Sequence, residues 1–214
     1  MGLRLFQKIL NPLADVRRIS SGNPANLKGN TMRKFATALA LTATLASVSY
    51  VHAADVMVGG QAMMASKDIV DNAVNSADHT TLVAAVKAAG LVDTLKSKGP
   101  FTVFAPTNAA FNKLPAGTVE TLVKPENKAT LSKILTYHVV PGKYDFNALS
   151  KEIKKHKGKA ELATANGAKL SFAMNGARNI QVMDQSGNTA NISTYDVVQS
   201  NGVINVIDTV LMPQ

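Results

Sequence analysis

Between residues 66 and 160 the apolar positions recur mostly at helical spacing, and beyond residue 160 they fall into short alternating runs broken by turns. Ile69, Val70, Ala73 and Val74 repeat at three- and four-residue intervals, which predicts a helix with Ser66 as its N-cap. A second helix is predicted over Thr80–Ala89, burying Leu82, Val83 and Val86, with Gly90 suited to the position just past its end. Leu91 to Lys96 reads as one further helical turn. Gly99-Pro100 interrupts the pattern before the β-prone run Phe101-Thr102-Val103-Phe104, which Pro106 ends. Thr107 can cap a brief helix presenting Ala110 and Phe111 inward. Thr118–Val123 and a longer helix over Glu126–Tyr137 follow, the latter with Pro125 at its start and Leu131, Ile134 and Leu135 inward. His138-Val139-Val140 reads as extended, and Phe146–Lys155 as helical.

In the last third, Asn166-Gly167, Asn175-Gly176 and Asn201-Gly202 are flanked by apolar or alternating residues, and Ser186-Gly187-Asn188 adds another turn. Asn-Gly favours type I′ hairpins because both central residues of that turn need positive φ. The strands predicted are Glu161–Thr164, Lys169–Met174, Asn179–Met183, Thr189–Ile192, Asp196–Ser200 and Val203–Asp208. A helical first half followed by an antiparallel second half predicts an α+β fold. The segment 54–65, with Gly59-Gly60 and three Met, reads as an extended lead-in with a short strand at Val56–Val58. No internal repeat or low-complexity tract is visible.

The first 53 residues differ from the rest. They hold seven of the 23 Lys+Arg but one of the 14 acids, so the formal +9 falls to +3 beyond Ala53. Such a mild charge gives no reason to expect the dense phosphate-neutralising patch of a nucleic-acid binder. Arg33-Lys34, the uncharged stretch Phe35–Val51 and the small residues of Val51-His52-Ala53 form a secretory signal pattern. It predicts a signal peptide over 32–53, with cleavage between Ala53 and Ala54. Five Thr and Ser dilute the stretch, and no basic cluster follows it, so a membrane span fits less well. Residues 1–31 are expected to be an upstream extension without a fold. The chain has no Cys, so an exported product relies on its core and not on disulfides. About 160 residues can do this, burying roughly 70% of their unfolded surface.

Candidate chemistry is sparse. His79, His138 and His156 have no second ligand at metal-binding spacing, no Ser sits in a Gly-x-Ser-x-Gly elbow, and no phosphate-cradling glycine loop occurs. No metal, cofactor or catalytic residue is therefore expected. The basic run Lys151, Lys154, Lys155, His156, Lys157 and Lys159 could meet acidic glycans, nucleic acid or anionic headgroups. With no aromatic interleaved for base stacking, it better suits a solvated helix end, where cations complement the dipole. His138 beside apolar residues reads as a hydrogen-bonded core residue. Asn108, in a first helical turn, reads as serving backbone. Asp196 and Asp208 lie in apolar strands, each either inward and hydrogen-bonded or alternating outward.

The segment from Phe101 to Phe111, with Phe104, Pro106, Thr107 and Asn108 at its centre, closely resembles the first motif of the fasciclin domain. Tyr137-His138 resembles that family's central Tyr-His pair. Asn201-Gly202-Val203-Ile204-Asn205-Val206-Ile207-Asp208, continuing to Pro213, resembles the second motif, which closes the domain. Together these motifs cover about residues 66–213, and the secreted bacterial single-domain members also resemble the lead-in.

The resemblance implies short helices packed against a wedge of two small, largely antiparallel β-sheets. It implies a non-enzymatic, exported module for adhesion, surface attachment or matrix contact, working in the periplasm or outside the cell on a protein or glycan partner. In adhesive members an Asp-Ile pair and the Tyr-His region contact receptors. The matching positions here are Asp196-Val197 and Tyr137-His138. Val197 loses a methylene relative to Ile, and Asn205 stands where the family often has His. A second class, a secreted carrier of an apolar small molecule such as a pigment, is also implied. It would need a sizeable apolar pocket, and the low aromatic content of 5% with no Trp weakens it.

Overall fold

The computed structural model describes residues 56–214. The leader expected over 32–53, the extension before it and the Ala53/Ala54 junction lie outside the described residues.

The described residues open with a hairpin, β1 (Val56–Val58) paired antiparallel to β2 (Gln61–Met63). The lead-in thus carries one strand more than its sequence suggests. Helix α1 (Ile69–Ala73) follows. Its N-cap is Asp68, not Ser66, because the Asp68 carboxylate accepts from the Asp71 N–H at 2.8 Å. The helix is also short enough that Val74, expected inside, is exposed. A 3₁₀ turn over Ala77–His79 leads into α2 (Thr80–Ala89), which ends on Gly90 in the left-handed region at φ 72°. Without a Cβ, Gly90 takes this conformation at no steric cost. Then come α3 (Val92–Lys96), β3 (Phe101–Pro106), α4 (Asn108–Phe111) and α5 (Thr118–Leu122). After these follow α6 (Lys128–Tyr137), β4 (Val139–Pro141) and α7 (Phe146–Lys155).

The remaining strands are β5 (Lys159–Ala163), β6 (Lys169–Met174), β7 (Ile180–Met183), β8 (Thr189–Gln199) and β9 (Gly202–Ile207). They join β3 and β4 in the order β4-β3-β9-β8-β7-β6-β5, antiparallel except for the parallel β3–β9 pair. Two predicted strands, Thr189–Ile192 and Asp196–Ser200, are one: β8 pairs with β7 through its first part and with β9 through its second. Its register shifts at Ile192/Thr194 and Thr194/Val197 bend it, as bulges do, so one strand serves both halves of the sheet.

The expected type I′ turns do not form. Among described residues only Lys157 and Asp196 are non-glycine positions with positive φ, so Asn166 and Asn175 are excluded. Gly167 and Gly176 supply a single left-handed position in each loop. Asn166 works through its side chain, whose Oδ1 accepts from the Ala168 N–H at 2.9 Å. Gly202 has no positive φ at all. It is needed because a Cβ there would overlap the Phe101 carbonyl oxygen.

Two cores result. The first lies between the hairpin, α1, α2, α6 and one face of β3 and β9, with Leu82, Val86, Val103 and Val206 buried in it. The second holds Phe104, Tyr137, Leu149, Ile153, Phe172 and Ile207 beneath α7 and β5–β8. β9 feeds both, and all six of its residues are buried. That explains its near-continuous apolar sequence.

Candidate functional site

Tyr137 and His138 end α6 at the seam of the two halves. Tyr137 is fully buried; its hydroxyl donates to the Lys169 carbonyl at 2.9 Å and accepts from the Gln185 N–H at 3.2 Å. Burial pushes the phenol above its ordinary pKa. His138 Nδ1 lies 2.9 Å from the Ile134 carbonyl, and its Nε2 accepts from the Leu211 N–H at 3.0 Å. A carbonyl can only accept, so the proton sits on Nδ1 and the ring is neutral. Burial lowers its pKa to about 4.

Asp184, which the sequence pattern does not single out, completes this arrangement. It is buried; Oδ2 accepts from the Met212 N–H at 3.1 Å, while Oδ1 accepts from the Ser186 and Asn188 N–H groups at 2.9 Å. His138 and Asp184 therefore tie down consecutive amides of the C-terminal segment. The one local signal for Asp184 is its place before Ser186-Gly187-Asn188, where an Asp folds its own turn.

Asp196 sits in the β8 bulge at φ 59°, a conformation open to Asp and Asn more readily than to other side chains. Its Oδ1 accepts from the Phe146 N–H at 2.7 Å, at the start of α7, and its own N–H donates to the Asn205 Oδ1 at 3.1 Å. Asn205, at the position of the family's common His, is wholly buried and also reaches the Tyr144 carbonyl. Asp196 is half-buried. Its pKa is raised, by burial first and by Asp145, against the Phe146 hydrogen bond and Lys143, which lower it. Val197 beside it is fully buried, in the first core. Of the four candidate contact residues, Tyr137, Val197 and His138 thus face inward, and Asp196 alone keeps exposed surface.

The motif residues hold elements together. Thr107 caps α4 through the Ala110 N–H. Asn108 Oδ1 accepts from the Thr81 N–H at 3.0 Å, and its Nδ2 donates to the Ala77 carbonyl at 2.9 Å, which clamps α4 to the start of α2. Phe104 packs against Phe172 with ring centroids 5.2 Å apart and planes tilted by 41°, Pro106 is buried, and Phe111 lies in the first core. Asn201 joins three segments, accepting from the Ile69 N–H at 3.0 Å and donating to the Leu95 and Ser97 carbonyls. Asp208 accepts from the Asn191 N–H at 2.8 Å and from its Nδ2 at 3.0 Å. Burial pushes this carboxyl up, but Asn191, Thr209 and the Lys113 charge together bring it below its ordinary pKa.

The basic run surrounds the end of α7 and the start of β5. It is exposed, but acids are interleaved: Glu152 lies 3.5 Å from Lys155 and 3.6 Å from His156, and Glu161 lies 3.2 Å from Lys169. Among the described residues no group of three or more His, Cys, Asp or Glu could hold a metal ion, and no helix is long and apolar enough to cross a membrane. An apolar cavity of about 130 Å³ lies in the first core, between the helices and β3 and β9.

A bent mixed sheet, helices on its flank and polar side chains engaged mostly with backbone define an α+β module held together by its motif residues. The chain belongs to the fasciclin family: the model of the Fasciclin domain matches residues 77–213. Protein sll1483 of Synechocystis sp. is 49% identical over 145 residues, covering 68% of this chain and 73% of its own length. The cell surface glycolipoprotein MPB83 of Mycobacterium bovis is 39% identical over 160 residues, covering 72% of this chain and 64% of its own. The solved FAS1 domain pair from the insect cell adhesion molecule fasciclin I has the same fold, with a TM-score of 0.60 at 21% identity. That match covers 68% of this chain and about half (51%) of the pair.

Proposed function

We propose that this protein is an exported, non-enzymatic binding module that attaches to a protein or glycan at a cell surface or in a matrix. One observation carries the reading: the fasciclin match covers residues 77–213 of the folded chain, and a relative is named a cell surface glycolipoprotein. The signal pattern at 32–53 supports export, with release at Ala53/Ala54 into the periplasm or medium. N-terminal sequencing of the exported protein is expected to begin at Ala54 or within two residues of it. A cell-retained product that keeps residues 32–53 would remove both the cleavage and the location.

The contact surface is proposed at the rim around Asp196, with Tyr137, His138 and Val197 supporting it from within. Asp196→Asn keeps the left-handed backbone and the oxygen that accepts from Phe146. It also removes a charge whose ionisation burial already disfavours. The expected result is a melting temperature no lower than wild type and weaker attachment, with the loss shrinking as salt rises. If stability falls sharply while attachment per folded molecule stays constant, the carboxylate is structural and this surface is wrong.

A second reading, carriage of an apolar molecule, is favoured by the cavity of about 130 Å³ in the first core. Sites for drug-sized ligands run to roughly 300–1,000 Å³. The cavity as it stands therefore suits something smaller than a pigment.

A further inference from the structure

The fold gathers the basic run into more than a solvated helix end. Cations in the last turn of α7 complement its dipole, which accounts for Lys154 and Lys155. Lys157 and Lys159 lie beyond that turn, and the pairing of β5 with β6 brings Lys169 to the same corner. All of these lysines are exposed, with Lys151 and His156. An open depression of about 600 Å³ is lined by Lys155, His156, Lys157, Lys159, Glu161 and Lys169. Six lysines and two acids, Glu152 and Glu161, give this corner a charge of +4. The whole chain beyond Ala53 carries +3, so everything else in it sums to −1.

Lys157 is the residue that folding explains least. Helix α7 ends in a Schellman turn, where the Lys157 N–H donates to the Lys154 carbonyl at 3.2 Å and the Gly158 N–H to the Ile153 carbonyl at 2.8 Å. The residue just past the cap of such a turn is left-handed and is usually Gly, yet here Lys157 holds it at φ 58°. A Cβ in that conformation works against folding, so the turn itself does not select a lysine. The edge position of β5 does not select it either, since Lys157 precedes the strand whose edge a charge would guard. Glu152 engages Lys155, and Glu161 engages Lys169. Among the described residues Lys151, Lys154, Lys157 and Lys159 are in no ion pair.

We propose that this α7–β5 corner binds an acidic polysaccharide, a linear chain of uronate sugars whose carboxylates pair with Lys154, Lys157 and Lys159. The proposal rests on the attachment reading and names the glycan. Its surface is not the Asp196 rim: Asp196 meets the first residue of α7, and the lysines gather at the last turn, about 14 Å along the helix. The surroundings favour a polysaccharide over other polyanions. No aromatic lines the depression, so nucleotide bases have nothing to stack on. None of the exposed large apolar side chains belongs to it, so a bilayer finds no anchor. Its permanent cations are all lysines, point charges without the planar fork with which Arg grips phosphate. The two interleaved acids thin the positive charge, which suits anions spaced a sugar ring apart better than the one charge per about 1.7 Å of a duplex.

The test is a calorimetric titration of the full chain with polygalacturonate, with neutral dextran, single-stranded DNA and anionic phospholipid vesicles as parallel arms. Polygalacturonate is expected to bind saturably and more tightly than the other three, with an affinity that falls as salt rises. Lys157→Gly should weaken it about three-fold, and the same change combined with Lys154→Gln and Lys159→Gln about ten-fold, as befits exposed charge pairs. Lys157→Gly should also melt no lower than wild type, because Gly suits the left-handed position. That separates binding from folding. Lys124→Gln, at an exposed lysine outside the depression, should bind like wild type. Polygalacturonate that does not saturate, binds no better than DNA or vesicles, or is unaffected by the triple change overturns the site. The comparison of arms is read on wild type, so it decides even if a variant fails to fold. Attachment of wild type to cell-surface material is measured alongside. Attachment without polygalacturonate binding would remove this site and leave the attachment reading standing, and absence of both would end both.

Discussion

Gly202→Ala is expected to cost about 3 kcal/mol of stability or more, at the upper end of what overpacking does. A methyl group there would overlap the Phe101 carbonyl oxygen and lie 3.0 Å from the Ile69 side chain. Phe101 and Gly202 form the first of six residue pairs in the parallel β3–β9 ladder. The carbonyl therefore cannot retreat without parting the two central strands, and β9 is the strand that serves both cores. The neighbouring Asn201 would move as well, loosening its bonds to Ile69, Leu95 and Ser97. Gly187→Ala makes a useful control. Its φ is +87°, but a Cβ there meets nothing within 4 Å. It should cost only the local penalty of about 1–2 kcal/mol for an L-residue in the left-handed region. Denaturant melts of both variants separate a steric collision from a turn preference. A Gly202→Ala protein that unfolds at the wild-type midpoint would show that the ladder opens freely at this end.

That contrast shows what a sequence can and cannot convey. The elements legible in it are those whose signals are local and agree with one another. Helix α2 has periodic Leu82 and Val86 and a Gly at its end, and β6 alternates between turns; both stand at the predicted bounds. The features that escape depend on distant partners. Ser66 and Asp68 are both competent caps, and the choice falls to Asp68 in a structure where the next amide, Ile69 N–H, is held by Asn201, 132 residues away. The Asp196 bulge splits one strand into two in the sequence, because its positive φ is supported by the amide of Phe146 and the side chain of Asn205. The fasciclin motifs locate Tyr137, His138 and Asp196, but not which of them faces solvent. Gly202 is read from its motif as a hairpin glycine, whereas its role is close approach to β3. The cavity has no sequence signal at all. His79 sits in the polar run Asp78-His79-Thr80, and only tertiary packing carries it inside.

The largest pH effect should come from His138. In the folded protein its ring must stay neutral, since Nε2 accepts from the Leu211 amide while Nδ1–H donates to the Ile134 carbonyl. Protonating Nε2 would set two donors against each other and place a charge in a fully buried position. The Asp184 carboxylate acts to raise the pKa but does not offset burial, and the pKa stands at about 4. An unfolded His titrates near 6.5. The folded state therefore binds fewer protons between these values, and stability must fall as pH falls. His138's contribution is complete above about pH 6.5 and is lost progressively down to about pH 4, a total of roughly 3 kcal/mol. His79, also lowered by burial, acts in the same direction. Asp196 opposes both, because its raised pKa means that acid relieves an unfavourable charge. Asp208, held low, loses its contribution only below the ordinary carboxylate range, beneath the histidine window. His138→Ala should thus do two things together. At pH 7 it should cost about 1–3 kcal/mol, from the orphaned Leu211 amide and the void left behind. Between pH 6.5 and 4 its stability should vary much less than that of wild type. Urea melts of both proteins across that range are the measurement. Parallel pH profiles would mean that the acid sensitivity lies elsewhere and that the ring tolerates a proton where it sits. A mutant that melts like wild type at pH 7 yet no longer attaches would turn the assignment around, making His138 a contact residue and not a support for the C-terminal segment.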